Sequence, residues 1–384
     1  MPLSTLHIDI EGGWGGSSRS LYELLSRIDR NRIAPVVVHR QAGPITQWYA
    51  DTGIPVIHVP EIGSFVPRGR KALKNFIASL PRLARLGTAA RRIAAIAETH
   101  GTQLIHLNYE GLFLLARKLR RLDLPMIAHS RAMVPADGWG RWLARSLAVD
   151  AAHMFFISPQ EEARFRLLHP GTAPQGDILW NITRPVQPRR PLGDPPEVVS
   201  FGSLDRAKGT DRLIEVAAAL RQLQAPPLRI AVYGLARTAP SFVAEVSASI
   251  VRLGLEDRIA LRGFSDDPMT VMAGALALIR PSRDDDPWGR DVIEATAAGL
   301  PVLATGTYGG VVRHGETGFL FPAFDAREVA ERLVVLHDDR QIWQRISDAA
   351  AIWGAQRFSG RQQAERFTSI VESTIANARH RGVS

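Results

Sequence analysis

ALALIRPSRDDDPWGRDVIEATAAGLPVLAT, residues 275–305, decides the fold. ALALI (275–279) is a short, wholly apolar run, the pattern of a buried strand. DVIEATAA (291–298) predicts a short helix. Gly299 stands where a helix C-cap favours a left-handed residue, and Pro301 then opens a second apolar run, PVLAT (301–305). Strand, helix and strand in such close succession indicate a parallel sheet. The loop at 280–290 carries Asp284, Asp285 and Asp286, and Glu294 follows in the first turns of the helix. Three readings compete for these acids. They could be a metal-binding D-x-D, two carboxylates gripping paired hydroxyls, or a solvated rim.

The same alternation runs through the chain. LHIDI (6–10), PVVVH (35–39), PVIHV (55–59), LIHLN (104–108), PMIAH (125–129) and MFFIS (154–158) predict strands. Segments 17–28, 72–80, 90–100 and 111–122 predict helices between them. RPVQPRRPLGDPPE (184–197) then breaks the pattern with five prolines and reads as a linker. Beyond it, strands are predicted at 198–202, 228–234, 258–263, 275–281, 301–305 and 317–322. Helices are predicted at 210–222, 240–253, 291–298 and 325–336. The expected domains are 1–183, a linker at 184–197, 198–357, and a C-terminal helix at 358–384 packing back on the first domain. The fold class is α/β, with two Rossmann-like doubly wound parallel sheets facing a cleft. Ligands of such sheets bind at the carboxyl ends of the strands.

Composition narrows the function. Cysteine is absent, which excludes disulfides, thiolate metal sites and a cysteine nucleophile. No apolar run approaches the roughly 18 residues of a membrane span, and the first residues lack the pattern of a signal peptide. The expected location is the cytoplasm, with peripheral attachment to the inner face of the membrane. The net charge is +9, and only four of the 47 basic residues are lysine. Such a balance suits an anionic partner. Between Ile62 and Ala97 lie Arg68, Arg70, Lys71, Lys74, Arg82, Arg85, Arg91 and Arg92, with no acid. Leu73, Phe76, Ile77 and Leu80 are spaced through this stretch as on one helix. Residues 62–97 therefore read either as a basic amphipathic surface for an anionic membrane or as a core helix with a solvated face.

Two further loops carry ligand chemistry. DIEGGWGGSSRSL (9–21) is a strand end, four glycines and a helix start, where amides can approach an anion. The dinucleotide fingerprint fails, because Ser18 stands at the third glycine position. SFGSLDRAKGTDRL (200–213) places Lys208 in a strand-to-helix loop, where an ammonium can meet a phosphate.

Together these segments resemble the retaining nucleotide-sugar glycosyltransferases of family 4, the glycosyl transferases group 1, which have the GT-B fold. The resemblance rests on the Gly-rich first loop, on G-x-L-x-x-x-K-G at 202–209, and on D-P-x-G-x-x-x-x-E-A-x-A-x-G-x-P-V within residues 281–302. HGETGFLFP (314–322) adds to it, and so does the pair Asp286-x7-Glu294. It implies transfer of a sugar from a nucleoside diphosphate to an acceptor hydroxyl with retention. The acceptor would be a glycan or a lipid-linked cell-envelope molecule. Glu294 would hold ribose hydroxyls, and Asp286 the donor sugar, beside Pro287, Trp288 and Gly289. Lys208 would neutralise the diphosphate, with Ser203 and Arg206 in the same loop and Gly15 and Gly16 lying against it. His129 would stand near the reacting sugar. Catalytic roles thus fall on Asp286, His129 and Lys208. No metal, no separate cofactor and no nucleic acid are expected. The chain departs from the family pattern in having Ser203 for the usual arginine and in lacking the glutamate after TYGG (307–310). A nucleotide-sugar epimerase and a catalytically silent nucleotide-sugar-binding protein are the alternatives.

Overall fold

The computed structural model describes residues 1–13, 15–66, 72–171, 174–234, 240–283 and 289–381. By contacts the chain divides into two units, Met1–Ile182 with Gly360–Ser384, and Thr183–Ser359.

In the first unit, the strands are β1 (Leu3–Asp9), β2 (Ile33–His39), β3 (Val56–His58), β4 (Leu104–Leu107), β5 (Met126–Ser130), β6 (His153–Phe156) and β7 (Gln175–Ile178). Its helices are α1 (Gly16–Leu25), α2 (Pro44–Asp51), α3 (Ala72–Leu83), α4 (Leu86–Thr99), α5 (Phe113–Leu119), α6 (Gly138–Asp150) and α7 (Pro159–Leu168). In the second unit, the strands are β8 (Glu197–Phe201), β9 (Arg229–Tyr233), β10 (Ile259–Gly263), β11 (Ala277–Arg280), β12 (Val302–Thr305) and β13 (Gly318–Phe321). Its helices are α8 (Arg212–Gln222), α9 (Pro240–Arg252), α10 (Pro268–Ala273), α11 (Arg290–Ala297), α12 (Ala326–Asp338) and α13 (Arg340–Arg357). The last helix, α14 (Gly360–Arg381), belongs to the first unit.

Both sheets are parallel throughout. Their strand orders are β3-β2-β1-β4-β5-β6-β7 and β10-β9-β8-β11-β12-β13. The order reverses once in each, at β1/β4 and at β8/β11, which is the doubly wound topology. The stretch 275–305 is β11, α11 and β12, and it flanks the second reversal. Several elements carry no strong pattern in the sequence. The helices α2, α6 and α7 and the edge strand β7 lie in segments for which the apolar spacing predicts neither helix nor strand. The Pro-rich segment is irregular but fixed: Arg189 donates to the carbonyls of Met272 and Ala275 at 2.8 Å each and stacks on Trp343.

Alternating faces of the first sheet are buried on both sides. Leu6, Ile8, Ile105, Ala128 and Phe156 meet one helical layer with Ile93, Leu143 and Phe165. Val37, Leu104, Ile127 and Phe155 meet the other, which contains Leu21 and Leu25 of α1 and Phe367 and Val371 of α14. Buried hydrophobic side chains of this kind contribute roughly 1.5–3 kcal/mol each. Polar contacts also fasten α14. Arg32 reaches Glu365 at 2.7 Å and Glu372 at 2.6 Å, and the Gln363 side chain accepts from the Trp180 amide at 3.1 Å.

Histidines line this second face. His7 and His106 are register partners on β1 and β4, with their Nδ1 atoms 3.1 Å apart. Thr5 Oγ1 lies 2.9 Å from His7 Nε2. The Phe367 ring stands 6.0 Å from the His7 ring and 5.5 Å from that of His106. Burial, helped by the Arg30 charge, lowers the His7 pKa to about 3. Burial first, then neighbouring His7 and Arg131, holds His106 well below its usual value.

These imidazoles stay neutral in the fold while the unfolded chain protonates them. Stability from this source is therefore unchanged above about pH 6.5 and falls as the pH drops towards the depressed folded values. Each such histidine should remove about 1.4 kcal/mol per pH unit within that window. Urea denaturation midpoints at pH 7.5, 6 and 5 should fall accordingly, and His106→Gln should flatten the slope by one proton. An unchanged slope in that variant would contradict the assignment.

Candidate functional site

Each unit gathers its polar chemistry at the carboxyl edge of its sheet. In the first unit, β1 ends at Asp9 and the glycine-rich turn leads into α1. A Cβ on Gly43 would lie 2.2 Å from the Gly12 carbonyl oxygen, so the loops after β1 and β2 touch backbone to backbone. Gly15 caps α1 in an extended conformation, and Gly16 is the first residue of the helix. A Cβ on Gly15 would lie 1.3 Å from Glu11 Oε2. The Glu11 carboxylate thus occupies the space above Gly15, and any ligand anion there would have to displace it.

Beneath the turn lies a polar network that the sequence does not advertise. Asp9 is buried, which pushes its carboxyl pKa up against the opposing effect of its hydrogen bonds. Its Oδ2 lies 2.5 Å from Ser18 Oγ, and its Oδ1 accepts from Asn108 Nδ2 at 3.0 Å. Asn108 also donates to the Ser17 carbonyl at 3.2 Å and accepts from Arg131 at 2.5 and 3.1 Å. Arg131 donates further to Asn181 Oδ1 at 2.9 Å, and its amide donates to Glu110 Oε2 at 2.9 Å. Asn108 and Arg131 each immediately follow a strand. A polar residue just after an apolar run is the signal that could have found them.

His129, one residue from the end of β5, is enclosed. Its ring packs 5.8 Å from His106 and 5.6 Å from Phe155, and neither ring nitrogen has a hydrogen-bond partner among the described residues. Burial, then the charges of Arg131 and His106, keeps it neutral.

In the second unit, the loop after β8 is organised by Asp205. It accepts from Ser203 Oγ at 2.7 Å and from the Lys208 amide at 2.8 Å. Ser203 and Lys208 are therefore held in one turn, with the Lys208 side chain half-exposed. Arg206 faces elsewhere. Its guanidinium binds Glu245 at 2.7 Å and Asp211 at 3.5 Å and lies over the Phe242 ring. Its charge is thus already paired on the flank of the loop.

The loops after β8 and β11 form one body. Arg283 grips Asp211 at 2.7 and 2.8 Å, and its amide donates to the Ala207 carbonyl at 2.8 Å. Arg212 donates to the carbonyls of Pro281 and Ser282. Gly209, at φ 75°, lies so close that a Cβ there would sit 2.0 Å from the Pro281 oxygen. Gly289 then caps α11, with a Cβ position 2.7 Å from Arg280 Nη1. Arg280 pairs with Asp291 at 2.7 Å. Glu294 is 4% exposed, and its Oε1 lies 2.7 Å from Arg290 and 3.8 Å from Arg184. Asp286, Pro287 and Trp288, like Asp284 and Asp285, lie outside the described residues, so only Glu294 of the spaced acidic pair is placed. No group of three or more His, Asp or Glu among the described residues could hold a metal ion.

Comparison with known proteins places these loops in a family. Residues 185–353 match the family described as glycosyl transferases group 1, and residues 15–177 match the glycosyl transferase 4-like domain. The chain is 33% identical to an exopolysaccharide phosphotransferase of Streptomyces coelicolor over 31% of its own length and 13% of the relative's. It is 25% identical to the lipopolysaccharide core biosynthesis mannosyltransferase LpcC of Rhizobium leguminosarum bv. viciae, over 59% of this chain and 64% of that one. The chain thus spans less than two thirds of the length of these curated relatives. Among solved structures, Anabaena HepE in complex with UDP-glucose superposes with a TM-score of 0.75 at 22% identity, covering 97% of this chain and 100% of that chain. That likeness shows the GT-B fold. With family models matching both halves, the chain belongs to the glycosyl transferases group 1, whose typical mechanism is retaining.

Gly209→Ala combines a left-handed backbone with a clash against Pro281. It should destabilise the second unit by about 2–4 kcal/mol. Thermal melting of the variant checks this, and a melting temperature equal to wild type would contradict the close packing of the two loops.

Proposed function

We propose that the chain transfers a sugar from a nucleoside diphosphate to an acceptor hydroxyl with retention of configuration. One observation carries the reading. Asp205 holds the Lys208 amide in one turn, and the clamp between Asp211 and Arg283 ties that loop to the one leading into α11. A diphosphate at the β8/β11 reversal would meet the Lys208 ammonium and the amides at the α11 N-terminus. The bond from the anomeric carbon to the phosphate oxygen breaks as the acceptor oxygen bonds to that carbon. The departing phosphate takes the acceptor proton on the same face, so no protein nucleophile is required. Glu294, poised by Arg290, would accept hydrogen bonds from ribose hydroxyls. Asp286 would hold the donor sugar, and the reaction would proceed without a divalent ion. HepE binds UDP-glucose in its complex, which makes this nucleotide sugar the first donor to test.

Lys208→Ala should keep the melting temperature and lower transfer about tenfold or more, since a lost charged hydrogen bond costs ~1.5–3 kcal/mol. Glu294→Gln should act in the same direction on donor affinity. Radiolabelled transfer from UDP-, GDP- and ADP-sugars, with and without exhaustive chelation, measures both. Undiminished rates in the variants would remove the site assignment. Loss under chelator with rescue by Mg²⁺ would replace the lysine mechanism with a metal one. Donor conversion without acceptor would favour an epimerase, and binding without turnover a silent binding protein.

The acceptor reading is a glycan or a lipid-linked molecule at an anionic membrane surface. LpcC, by its name, acts on lipopolysaccharide core. In the first unit, α3 supports this reading by exposing Leu73 (60%), Ile77 (57%) and Leu80 (44%), spaced along one helix. Its inner residue Phe76 packs at 5.1 Å from Phe65 and 5.7 Å from Trp139. Lys74, Arg82 and Arg85 flank the exposed stripe, and Arg68, Arg70 and Lys71 lie outside the described residues. No helix among the described residues is long and apolar enough to cross a membrane. Co-sedimentation should show binding to anionic vesicles and little to neutral ones, reduced by Ile77→Glu. Equal, negligible binding to both would defeat the membrane reading.

A further inference from the structure

Some arginines of the first unit are paired with carboxylates. Arg27 meets Glu23 at 2.5 Å, Arg32 meets two glutamates, Arg92 meets Glu61 at 2.8 Å, and Arg166 meets Glu162 at 2.6 Å. Arg40 is different. It is half-buried at the residue after β2, with its amide donating to the Asp9 carbonyl at 3.1 Å beside the β1/β4 reversal. Among the described residues, its guanidinium makes a single hydrogen bond, from Nη1 to Ser64 Oγ at 2.8 Å, and has no carboxylate within ion-pair distance. A guanidinium carries five donors, and a half-buried charge with one neutral partner is costly unless something else satisfies it.

The surroundings contain a second cation. The segment holding Ser64 touches the end of α3, where a Cβ on Gly63 would lie 3.0 Å from the Arg82 carbonyl oxygen. Arg82 is exposed, makes no ion pair among the described residues, and repels Arg40. Burial and this repulsion both lower the Arg40 pKa, while Glu11, Asp9 and Tyr109 act against them. Neither acid pairs with it. Asp9 is bound to Ser18 and Asn108, and the Glu11 carboxylate is folded over Gly15.

We propose that Arg40, Ser64 and Arg82 form a subsite for a phosphate group carried by the acceptor. The Arg40 guanidinium meets the Ser64 hydroxyl, and the segment holding Ser64 touches the end of α3 that carries Arg82, so two cations and a hydroxyl come from three separate segments, which suits the several terminal oxygens of a phosphate better than a neutral sugar. The location is the carboxyl edge of a parallel sheet, next to the order reversal, where ligands of this topology bind. The proposal rests on the sugar-transfer reading, with the acceptor bound by the first unit. It refines the substrate class to a phosphorylated acceptor, whose phosphate is either that of a soluble sugar phosphate or that of a lipid.

The test uses the whole chain saturated with UDP, so that the donor-side phosphate contacts are occupied. Calorimetry with inorganic phosphate probes the soluble source. Co-sedimentation with neutral vesicles carrying a dialkyl phosphate probes the lipid source. Arg40→Gln should weaken whichever probe binds by about tenfold or more, with UDP affinity and melting temperature unchanged. Glu11→Gln should tighten it, because a nearby negative charge is removed. Should Arg40→Gln fold poorly, Ser64→Ala and Arg82→Gln carry the same comparison. Binding of neither probe to the wild type, or binding unaffected by these variants, overturns the subsite. Vesicle binding that survives Arg40→Gln while inorganic phosphate binding falls assigns the subsite to a soluble phosphate, with the vesicle held by the exposed face of α3. A wild type that binds phosphate through Arg40 but transfers no sugar would sink the glycosyltransferase reading and leave the subsite standing.

Discussion

A parallel sheet whose strand order reverses leaves two adjacent connections that depart in opposite directions, and the space between them must be filled. In the second unit an ion pair fills it. Asp211 stands at the start of α8 and Arg283 in the loop after β11, and their bidentate contact spans the β8/β11 reversal. Around that contact, Asp205 draws Ser203 and the Lys208 backbone into a turn, and Gly209 lets the two loops approach to a distance that no side chain would allow. The first unit meets the same constraint with neutral amides. Asn108 and Asn181 share out the Arg131 guanidinium, and Asp9 fixes the first turn of α1.

Much of this architecture is legible in the sequence, because the central strands are short, largely apolar runs, most with glycine or proline close by. Less is legible at the edges. The strand β7 is Gln-Gly-Asp-Ile, which has no apolar alternation, and it forms by pairing with β6. The helix α7 carries two glutamates and two arginines among its ten residues, and it buries only Glu161, Phe165 and Leu168. In such elements tertiary pairing, not local preference, selects the structure.

The site shows a similar division. Glycine turns, Lys208 and Glu294 stand out in sequence because backbone geometry and residue type alone distinguish them. The direction of a long side chain does not. Arg206 turns towards Glu245 because α9 places a carboxylate there, and α9 lies well downstream. Glu11 covers Gly15 only because the chain doubles back over the turn. The polar network beneath that turn draws residues from after β1, β4, β5 and β7, which are adjacent only once the sheet has formed.

The helix α14 has a consequence for how the chain reaches its fold. The second unit is continuous in sequence, Thr183–Ser359, and its core is complete when that segment is made. The first unit is not. Phe367 and Val371 are wholly buried against strands that were synthesised long before them, and Arg32 waits for Glu365 and Glu372. Removing a buried aromatic of this kind costs about 3–5 kcal/mol, a large share of the stability of a domain. On a ribosome the later unit can therefore close first. The earlier one stays open along one face of its sheet until the final helix leaves the exit tunnel, so maturation runs against the direction of synthesis.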